Sequence, residues 1–298
     1  MSNVEKIEVI LWHRCNCGCV FCSAGDSSQD QFDPRQVASL LMEHHARGVE
    51  AVAFGGGEPT IYQGLPTAVD AARKLGYKTI EVKSNGMRFC YPEYAQTSIQ
   101  SGINLFTISL WGHDPETHDQ FAGRPNAFEM TEMGIKHLVH YGACVHVDLL
   151  LTVLTVPHLE EIVGKLARMG VARISLWLFC VFGAGGGMKE YVPRLKHAGP
   201  AALAAADAAS AAGASVITSH IPPCFLQGRD DLYFNIKDIK LMIVTPGGNN
   251  FMAEESAFEA GAQVPECEKC VFRGVCAGPR REYLELFGHQ EIKAWNPG

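Results

Sequence analysis

The chain alternates short apolar or β-branched runs with longer segments in which apolar residues recur every three or four positions. The first pattern is typical of strands and the second of amphipathic helices. Strands are predicted at residues 7–12, 51–54, 79–84, 105–110, 145–154 and 173–179. Helices are predicted at 34–47, 65–75, 94–100, 129–140 and 159–169, with an alanine-rich helix at 201–212 between Pro200 and Gly213. Six strand–helix units with short connections predict a parallel sheet with right-handed crossovers.

Polar residues occupy one face of the predicted strands. At 145–154, His146, Asp148 and Thr152 share one parity, and the residues of the other parity are all apolar. Since helices cover the outside of such a sheet, the polar face is expected to point inward. The same alternation groups further polar and aromatic residues on three other strands: Glu81, Lys83 and Asn85; Thr107, Ser109 and Trp111; Arg173, Ser175, Trp177 and Phe179. A purely structural interior would be filled with Val, Ile and Leu, so this polarity predicts a ligand cavity.

Composition and charge narrow the class of protein. The 298 residues are 47% hydrophobic and carry a net charge of −7 without a run of lysine or arginine, so nothing indicates a nucleic-acid footprint. No signal peptide or apolar stretch of about eighteen residues is present, so no membrane association is expected and the protein is predicted to be cytoplasmic. Eleven cysteines in such a chain indicate metal binding rather than a disulfide framework. The glycine-rich run 182–187 predicts a flexible loop at the mouth of the cavity.

Three cysteines follow the first predicted strand with the spacing Cys15-x3-Cys19-x2-Cys22. Three thiolates on one loop can hold three irons of a 4Fe-4S cluster and leave the fourth iron open to a substrate or cofactor. A zinc loop and unligated core cysteines are the alternatives. The second strand ends in a second motif, Gly55 to Pro59, whose glycines allow the backbone to approach a ligand closely.

Together these motifs resemble those of the radical S-adenosylmethionine (radical SAM) enzymes. The cysteine loop, with Phe21 before its last cysteine, is similar to the family signature, and Gly56-Gly57-Glu58-Pro59 resembles its Gly-Gly-Glu-Pro motif. The resemblance implies an α/β fold, a partial (βα)6 TIM-like barrel. It also implies that the open iron chelates S-adenosylmethionine (SAM) and that an electron from an external donor of the flavodoxin or ferredoxin type leads to its cleavage to a 5'-deoxyadenosyl radical.

The resemblance also assigns roles to individual residues. Cofactor contacts are expected at Phe21, Gly56, Gly57, Glu58, Pro59, Ser84, Asn85 and Ser109. The inward polar residues Lys83, His146, Asp148 and Trp177 are predicted to contact the substrate, and the alternative is that they are satisfied polar groups of the core. His146 and Asp148 are also candidate catalytic residues, and Cys180 is a candidate hydrogen-atom donor.

A second set of cysteines lies near the C-terminus, where Cys267-x2-Cys270-x5-Cys276 is preceded by Cys224. The set resembles part of the SPASM or twitch extension, which binds auxiliary 4Fe-4S clusters. The fuller pattern has a further cysteine where this chain has Arg280, so one auxiliary cluster is expected. A structural zinc is the alternative. The predicted domains are a radical SAM partial barrel at 1–220 and a small iron–sulfur extension at 221–298.

The sequence therefore predicts an oxidoreductase-like radical SAM enzyme that abstracts a hydrogen from its substrate. Family members with such an extension often modify ribosomal peptides or small natural products, so a peptide or a small molecule is the expected substrate, with oxidation, cross-linking or epimerisation as the expected outcome. A non-catalytic iron–sulfur electron carrier or scaffold is the first alternative. A zinc-dependent regulatory protein is the second.

Overall fold

The protein folds around one nine-stranded sheet that curves about a lumen. The computed structural model describes residues 4–22, 30–181 and 187–296. The glycine-rich loop expected at 182–187 lies outside these ranges, apart from Gly187. In chain order the strands are β1 (Lys6–Trp12), β2 (Ala51–Gly56), β3 (Thr79–Ser84), β4 (Leu105–Leu110), β5 (Val145–Leu151), β6 (Arg173–Leu178), β7 (Ser215–Ser219), β8 (Leu241–Val244) and β9 (Phe251–Met252). Their order across the sheet is 7-6-5-4-3-2-1-8-9, and all neighbours are parallel except β8 and β9.

Helices cover the outer face of the sheet. They are α1 (Pro34–Ala46), α2 (Leu65–Leu75), α3 (Pro92–Gln100), α4 (Pro115–Ala122), α5 (Ala127–His140), α6 (Leu159–Arg168) and α7 (Leu195–Ala211). A further helix, α8 (Arg281–Phe287), lies in the C-terminal segment, and its Tyr283 hydroxyl accepts from the Leu195 N–H at the start of α7. In β1 the outward residues Ile7, Val9 and Leu11 are fully buried beneath this layer. The core therefore lies between sheet and helices, and the inner face of the sheet remains available for a site.

The six predicted strands and the helices between them are present, which confirms the α/β fold with a partial barrel. The prediction for the alanine-rich helix was wrong at its start, because α7 begins at Leu195 and Pro200 lies inside it. A proline within a helix removes one backbone donor, but the first turn of α7 buries Leu195 and Ala198 and is held by that packing. Strand β7 and helix α4 were not predicted.

Residues 233–241 close the lumen on the side where the sheet is open. At one end Tyr233 forms a parallel bridge with Thr218 of β7, and the Phe234 N–H donates to the Thr218 carbonyl at 3.0 Å. At the other end Leu241 begins β8, which pairs with Lys6 of β1. The segment thus runs from one edge strand of the barrel to the other. The domain boundary at residue 220 stays a prediction, and a strand from beyond it belongs to the sheet.

Candidate active site

The cysteine loop leaves β1 and rests on the end of α4. The Gly18 and Val20 N–H groups each donate to a carbonyl of that helix at 3.1 Å. Burial raises the pKa of Cys19 to about 12, and the charges of Cys15 and Cys22 add to this effect. The Cys22 N–H also donates to the Cys19 carbonyl at 3.0 Å, which turns the end of the loop back toward Cys19. This donor set fits a cluster with one open iron.

The fourth cysteine of the loop has a different environment. Cys17 directs its Sγ toward Met87 Sδ at 3.4 Å, in a small apolar cluster with Ala122 and Ala127. Its thiol also lowers the pKa of Cys15 to about 7 through a hydrogen bond. Cys17 therefore packs and supports the loop, in agreement with its absence from the motif.

Phe21 holds the loop against the ends of two strands. Its ring meets Trp111 edge-on at 5.1 Å and Phe179 at 5.9 Å, and Phe121 lies at 6.0 Å. These contacts are packing contacts within the protein. The cofactor contact expected for Phe21 stays a prediction.

The glycine turn after β2 lies directly against the cysteine loop. The Gly57 N–H donates to the Trp12 carbonyl and the Glu58 N–H to the Arg14 carbonyl, both at 2.8 Å. Gly56 has a φ of +117°, and a Cβ at Gly57 would lie 2.0 Å from the Arg14 carbonyl oxygen. Two consecutive glycines are thus required for the turn to approach the loop. The motif fixes the backbone that leads to Cys15.

The Glu58 carboxylate points into the protein and is 1% exposed. One oxygen accepts from the Thr60 N–H at 3.0 Å, the Thr60 hydroxyl at 2.6 Å and the Ser84 hydroxyl at 2.8 Å, and the other accepts from the Asn85 N–H at 2.9 Å. Burial raises the pKa of Glu58, and these hydrogen bonds oppose the shift. Glu58 and Ser84 therefore position the end of β3, and direct cofactor contacts from their side chains stay predictions, as does the contact expected for Pro59.

Asn85 lies beside the cysteine loop, and Ser109 lies on the next strand of the sheet, β4. Asn85 Nδ2 donates to Asn16 Oδ1 at 2.7 Å and lies 4.0 Å from Cys15 Sγ. Ser109, at the end of β4, is in register with Asp148 of β5. Both residues lie at the C-terminal ends of parallel strands, where ligands bind in barrels of this kind.

Two adjoining cavities connect the cysteine loop with the lumen. A cavity of about 330 Å³, the cofactor-end cavity, is lined by Cys19, Cys22, Gly56 and Trp111 on one side and by Asp148, Trp177 and Cys180 on the other. The lumen proper measures about 550 Å³, and its lining includes the predicted substrate residues Lys83, His146, Asp148 and Trp177. Asp148, Trp177 and Phe258 line both cavities. The structure therefore brings nine of the predicted site residues together around these two cavities, namely Cys19, Phe21, Cys22, Gly56, Lys83, His146, Asp148, Trp177 and Cys180.

Asp148 and His146 lie at different depths of this space. Burial raises the pKa of Asp148, while the charge of Lys83 and the facing side chains of Trp177 and Ser175 oppose the shift. Burial and the nearby Arg173 charge lower the pKa of His146 to about 4, so this ring is neutral near pH 7. His146 lines the lumen but not the cofactor-end cavity. Of the predicted catalytic residues, Asp148 and Cys180 are the two that reach that cavity.

Two ion pairs form the floor of the lumen. Lys83 Nζ lies 2.5 Å from Glu8 Oε2, and Lys6 pairs with Glu81. The partners reach across β2 because that strand presents small residues inward, and a Cβ at Gly55 would already lie 3.0 Å from Glu8 Oε1. Sequence reasoning missed Lys6 and Glu8. The alternation of buried and half-buried residues along β1 carries a signal that could have found them.

The C-terminal cysteines also converge. Cys224, Cys267, Cys270 and Cys276 line one small cavity together with apolar residues, among them Pro222, Phe272 and Ile292. Burial and the three other thiols raise the pKa of Cys224 to about 12. The Gly278 N–H donates to Cys276 Sγ at 3.3 Å, a hydrogen bond of the kind that surrounds iron–sulfur clusters. This set fits an auxiliary cluster.

Arg280 stands where the resemblance has a further cysteine. It is 3% exposed, its guanidinium lies 4.3 Å from the centre of the Phe258 ring, and it pairs with Glu282. Arg280 is not part of the lining of the cysteine cavity. Its position packs the extension against a residue that lines the lumen.

The spacing of the thiols bears on the zinc alternative. Within the described ranges, no three His, Cys, Asp or Glu side chains lie close enough to hold one metal ion. A single zinc needs its ligands within about 2.3 Å of one point, whereas a cubane gives each thiolate its own iron. The auxiliary cluster and the zinc alternative both stay predictions. In the same part of the chain, no helix has the length and apolar character that crossing a membrane requires.

Known proteins resemble the chain in sequence. A "Probable GTP 3',8-cyclase" of Sulfurisphaera tokodaii is 24% identical over 197 residues, 65% of this chain and 62% of that protein. An "AdoMet-dependent heme synthase" of Nitratidesulfovibrio vulgaris is 25% identical over 191 residues, 62% of this chain and 52% of that protein. The match thus spans less than two thirds of the length of these relatives.

Solved structures share the fold. The structure of SuiB of Streptococcus suis bound to S-adenosylmethionine aligns with a TM-score of 0.70 at 14% identity. The alignment covers all of this chain and 77% of the SuiB chain. "Native anSMEcpe with bound AdoMet" aligns with a TM-score of 0.66 at 14% identity, and the alignment covers 98% of this chain and 93% of that one. The family model of the radical SAM superfamily matches residues 9–166, from within β1 to within α6. Because that match covers more than half of the chain, the protein belongs to the radical SAM superfamily and is a radical SAM enzyme, for which the family implies a 4Fe-4S cluster and SAM.

Proposed function

We propose that this enzyme uses the 5'-deoxyadenosyl radical to abstract a hydrogen from a substrate bound in the lumen, and that it modifies a ribosomal peptide or a small natural product by oxidation, cross-linking or epimerisation. The observation that carries the proposal is the cofactor-end cavity, which joins Cys19 and Cys22 to Asp148, Trp177 and Cys180. In the family, the cluster and SAM together supply the radical. The protein contributes position and exclusion of water.

Some residues around the cavity would bind the cluster and SAM, and others keep those residues in position. Cys15, Cys19 and Cys22 would hold the cluster, and Asn85 and Ser109 would contact the SAM that its open iron binds. Cys15 and Cys22 are exposed, so an external donor of the flavodoxin or ferredoxin type can approach this side. Glu58 keeps Asn85 in place through its hydrogen bond to that backbone. SuiB of Streptococcus suis also has a structure bound to the precursor peptide SuiA, which supports the peptide class of substrate.

The release of 5'-deoxyadenosine tests the proposal directly. The protein is reconstituted anaerobically with iron and sulfide, reduced, incubated with SAM and assayed by chromatography. We expect 5'-deoxyadenosine at more than one equivalent per chain. A non-catalytic electron carrier or scaffold would release none, and a zinc protein would also lack the brown colour of the clusters.

Asp148→Ala is expected to abolish substrate modification and to preserve SAM binding and cleavage without substrate. The reason is that Asp148 lies between the two cavities, where a buried carboxyl can bind substrate or exchange a proton with it. SAM affinity and product formation are both measured for the variant and for the unmodified protein. His146→Ala should behave in the same way if both residues contact the substrate, and loss of SAM binding in either variant would contradict the assignment.

We further propose that Cys224, Cys267, Cys270 and Cys276 hold one auxiliary 4Fe-4S cluster. Their shared apolar cavity and the N–H donor to Cys276 support this. Reconstituted protein is expected to contain about eight irons and eight sulfides per chain, as two cubanes require. Cys270→Ala should lower both numbers to about four, whereas about four irons and one zinc in the unmodified protein would show a structural zinc instead.

A further inference from the structure

The lumen has two chemically different walls. Strands β1, β3, β5 and β6 supply its charged and polar wall. The opposite wall comes from the segment that closes the barrel and from β8 and β9, and it is apolar, with Ile236, Ile239, Leu241, Ile243 and Phe251 facing the cavity. A space lined in this way is complementary to an amphipathic molecule.

The lysines of the polar wall have ionic partners, whereas the arginine at the start of β6 has none. Lys6 and Lys83 are each paired with a glutamate. Arg173 lines the same cavity at the start of β6, where it is exposed to solvent, and within the part of the chain that the structure describes it forms no ion pair. Its neighbour in register, His146, carries no charge near pH 7. The start of β6 therefore presents to the lumen one solvent-exposed guanidinium that has no ionic partner.

The two other carboxyl groups of the lumen do not balance Arg173. Glu259 Oε2 accepts from His220 Nε2 at 3.1 Å on the side of the extension. Asp148 is in register with Ser175, two residues beyond Arg173, and the charge of Lys83 acts on its pKa. Two residues correspond to about 7 Å along a strand. The lumen thus has a guanidinium at the start of β6 and, further along the strands, a carboxyl beside the cofactor-end cavity.

We infer that the lumen binds an amphipathic carboxylate, with its anionic group on Arg173, its apolar body on the wall of Ile and Phe side chains, and its other end at Asp148. A planar guanidinium forms paired hydrogen bonds with a carboxylate, and a single uncompensated positive charge matches a monoanion better than a phosphate dianion. The inference rests on the proposed function, because it names the substrate class of the same site. A free acid and the carboxylate of a peptide share this chemistry.

Binding of simple probes to the reconstituted protein with SAM tests the inference. Octanoate, octanamide and octylammonium share one apolar body and differ in charge, and their affinities are measured by calorimetry. Octanoate is expected to bind at least tenfold more tightly than the other two, and Arg173→Gln should remove that preference. Arg168→Gln, which removes an exposed arginine of the outer helix layer, is the matched control and should retain it.

The inference is overturned if Arg173→Gln binds octanoate as well as the unmodified protein does, if octylammonium binds as tightly, or if the unmodified protein binds none of the three. N-acetyl-leucyl-leucine distinguishes a peptide carboxylate from a free acid. If it binds more tightly than octanoate, the substrate is assigned as a peptide end, and if it binds more weakly, the substrate is assigned as a free acid. Release of 5'-deoxyadenosine is measured on the same preparation. Its absence would defeat the proposed function, whereas a failed probe series with normal release would defeat the substrate class alone.

Discussion

Replacement of Cys19 by alanine is expected to remove about four irons per chain and to lower the release of 5'-deoxyadenosine at least a hundredfold. Cys19 is the central thiol of the motif, and both Cys15 and Cys22 lie close enough to raise its pKa. With two thiolates left, a cubane would have two irons without protein ligands and would not persist. Even changes behind a metal ligand cost about 10- to 100-fold in metal affinity, so loss of a ligand should cost more.

Cys17→Ala is the matched control, since it removes a thiol from the same loop. Cys17 packs on Met87 and lies outside the motif, so iron content should stay within experimental error of the unmodified protein and 5'-deoxyadenosine release should fall less than tenfold. Iron and sulfide are determined chemically, and product by chromatography. Equal loss of iron in both variants would show that the motif does not select the ligands, and the cluster assignment would fail.

Local patterns were sufficient to predict the parallel strands and the inner face of the barrel. In β5, Val145, Val147 and Leu149 are fully buried while His146 and Asp148 face the lumen, as the two-residue period requires. Because neighbouring strands are parallel and in register, residues at corresponding positions of adjacent strands lie side by side. The lumen position of Asp148 could therefore be inferred from the sequence.

Features that depend on distant parts of the chain could not be predicted in this way. The partners of Lys83 and Glu81 lie 75 residues earlier in the chain, and the pairing depends on the small inward residues of the strand between them. The apolar wall comes from a segment whose short strand, β8, has four residues and joins the sheet beside β1. No local signal specifies that pairing, because it follows from the open edge that the rest of the barrel leaves.

For the Gly-Gly-Glu-Pro motif, the sequence likewise predicted the location but not the side-chain contacts. Sequence resemblance located the motif correctly beside the cysteine loop, but it assigned Glu58 to the cofactor, whereas the structure shows its carboxylate bonded to Thr60, Ser84 and Asn85. Two of those partners lie at the end of the next strand. The direction of a side chain at a turn depends on φ and ψ values that the motif alone does not supply. The assignment of a direct cofactor contact therefore stays a prediction.

Gly57→Ala is expected to lower SAM cleavage about a hundredfold, because the added methyl group has no space. Its Cβ would lie 2.0 Å from the Arg14 carbonyl oxygen and 2.7 Å from the His13 carbonyl carbon, and both atoms belong to backbone that cannot rotate away. The chain that carries Cys15 must then move by about 1 Å. A displacement of that size at a reacting centre can cost about 10²-fold in rate.

Gly18→Ala provides the control for this steric argument within the cysteine loop itself. A Cβ at Gly18 would meet its nearest neighbour, the Gly123 carbonyl oxygen, at 3.9 Å, which is an ordinary contact. We therefore expect Gly18→Ala to retain SAM affinity and cleavage within a factor of about three, while Gly57→Ala loses both and retains its thermal unfolding temperature within a few degrees. If Gly57→Ala were as active as Gly18→Ala, the turn would not fix the loop, and the position of Cys15 would have to depend on Asn85 and Phe21 instead.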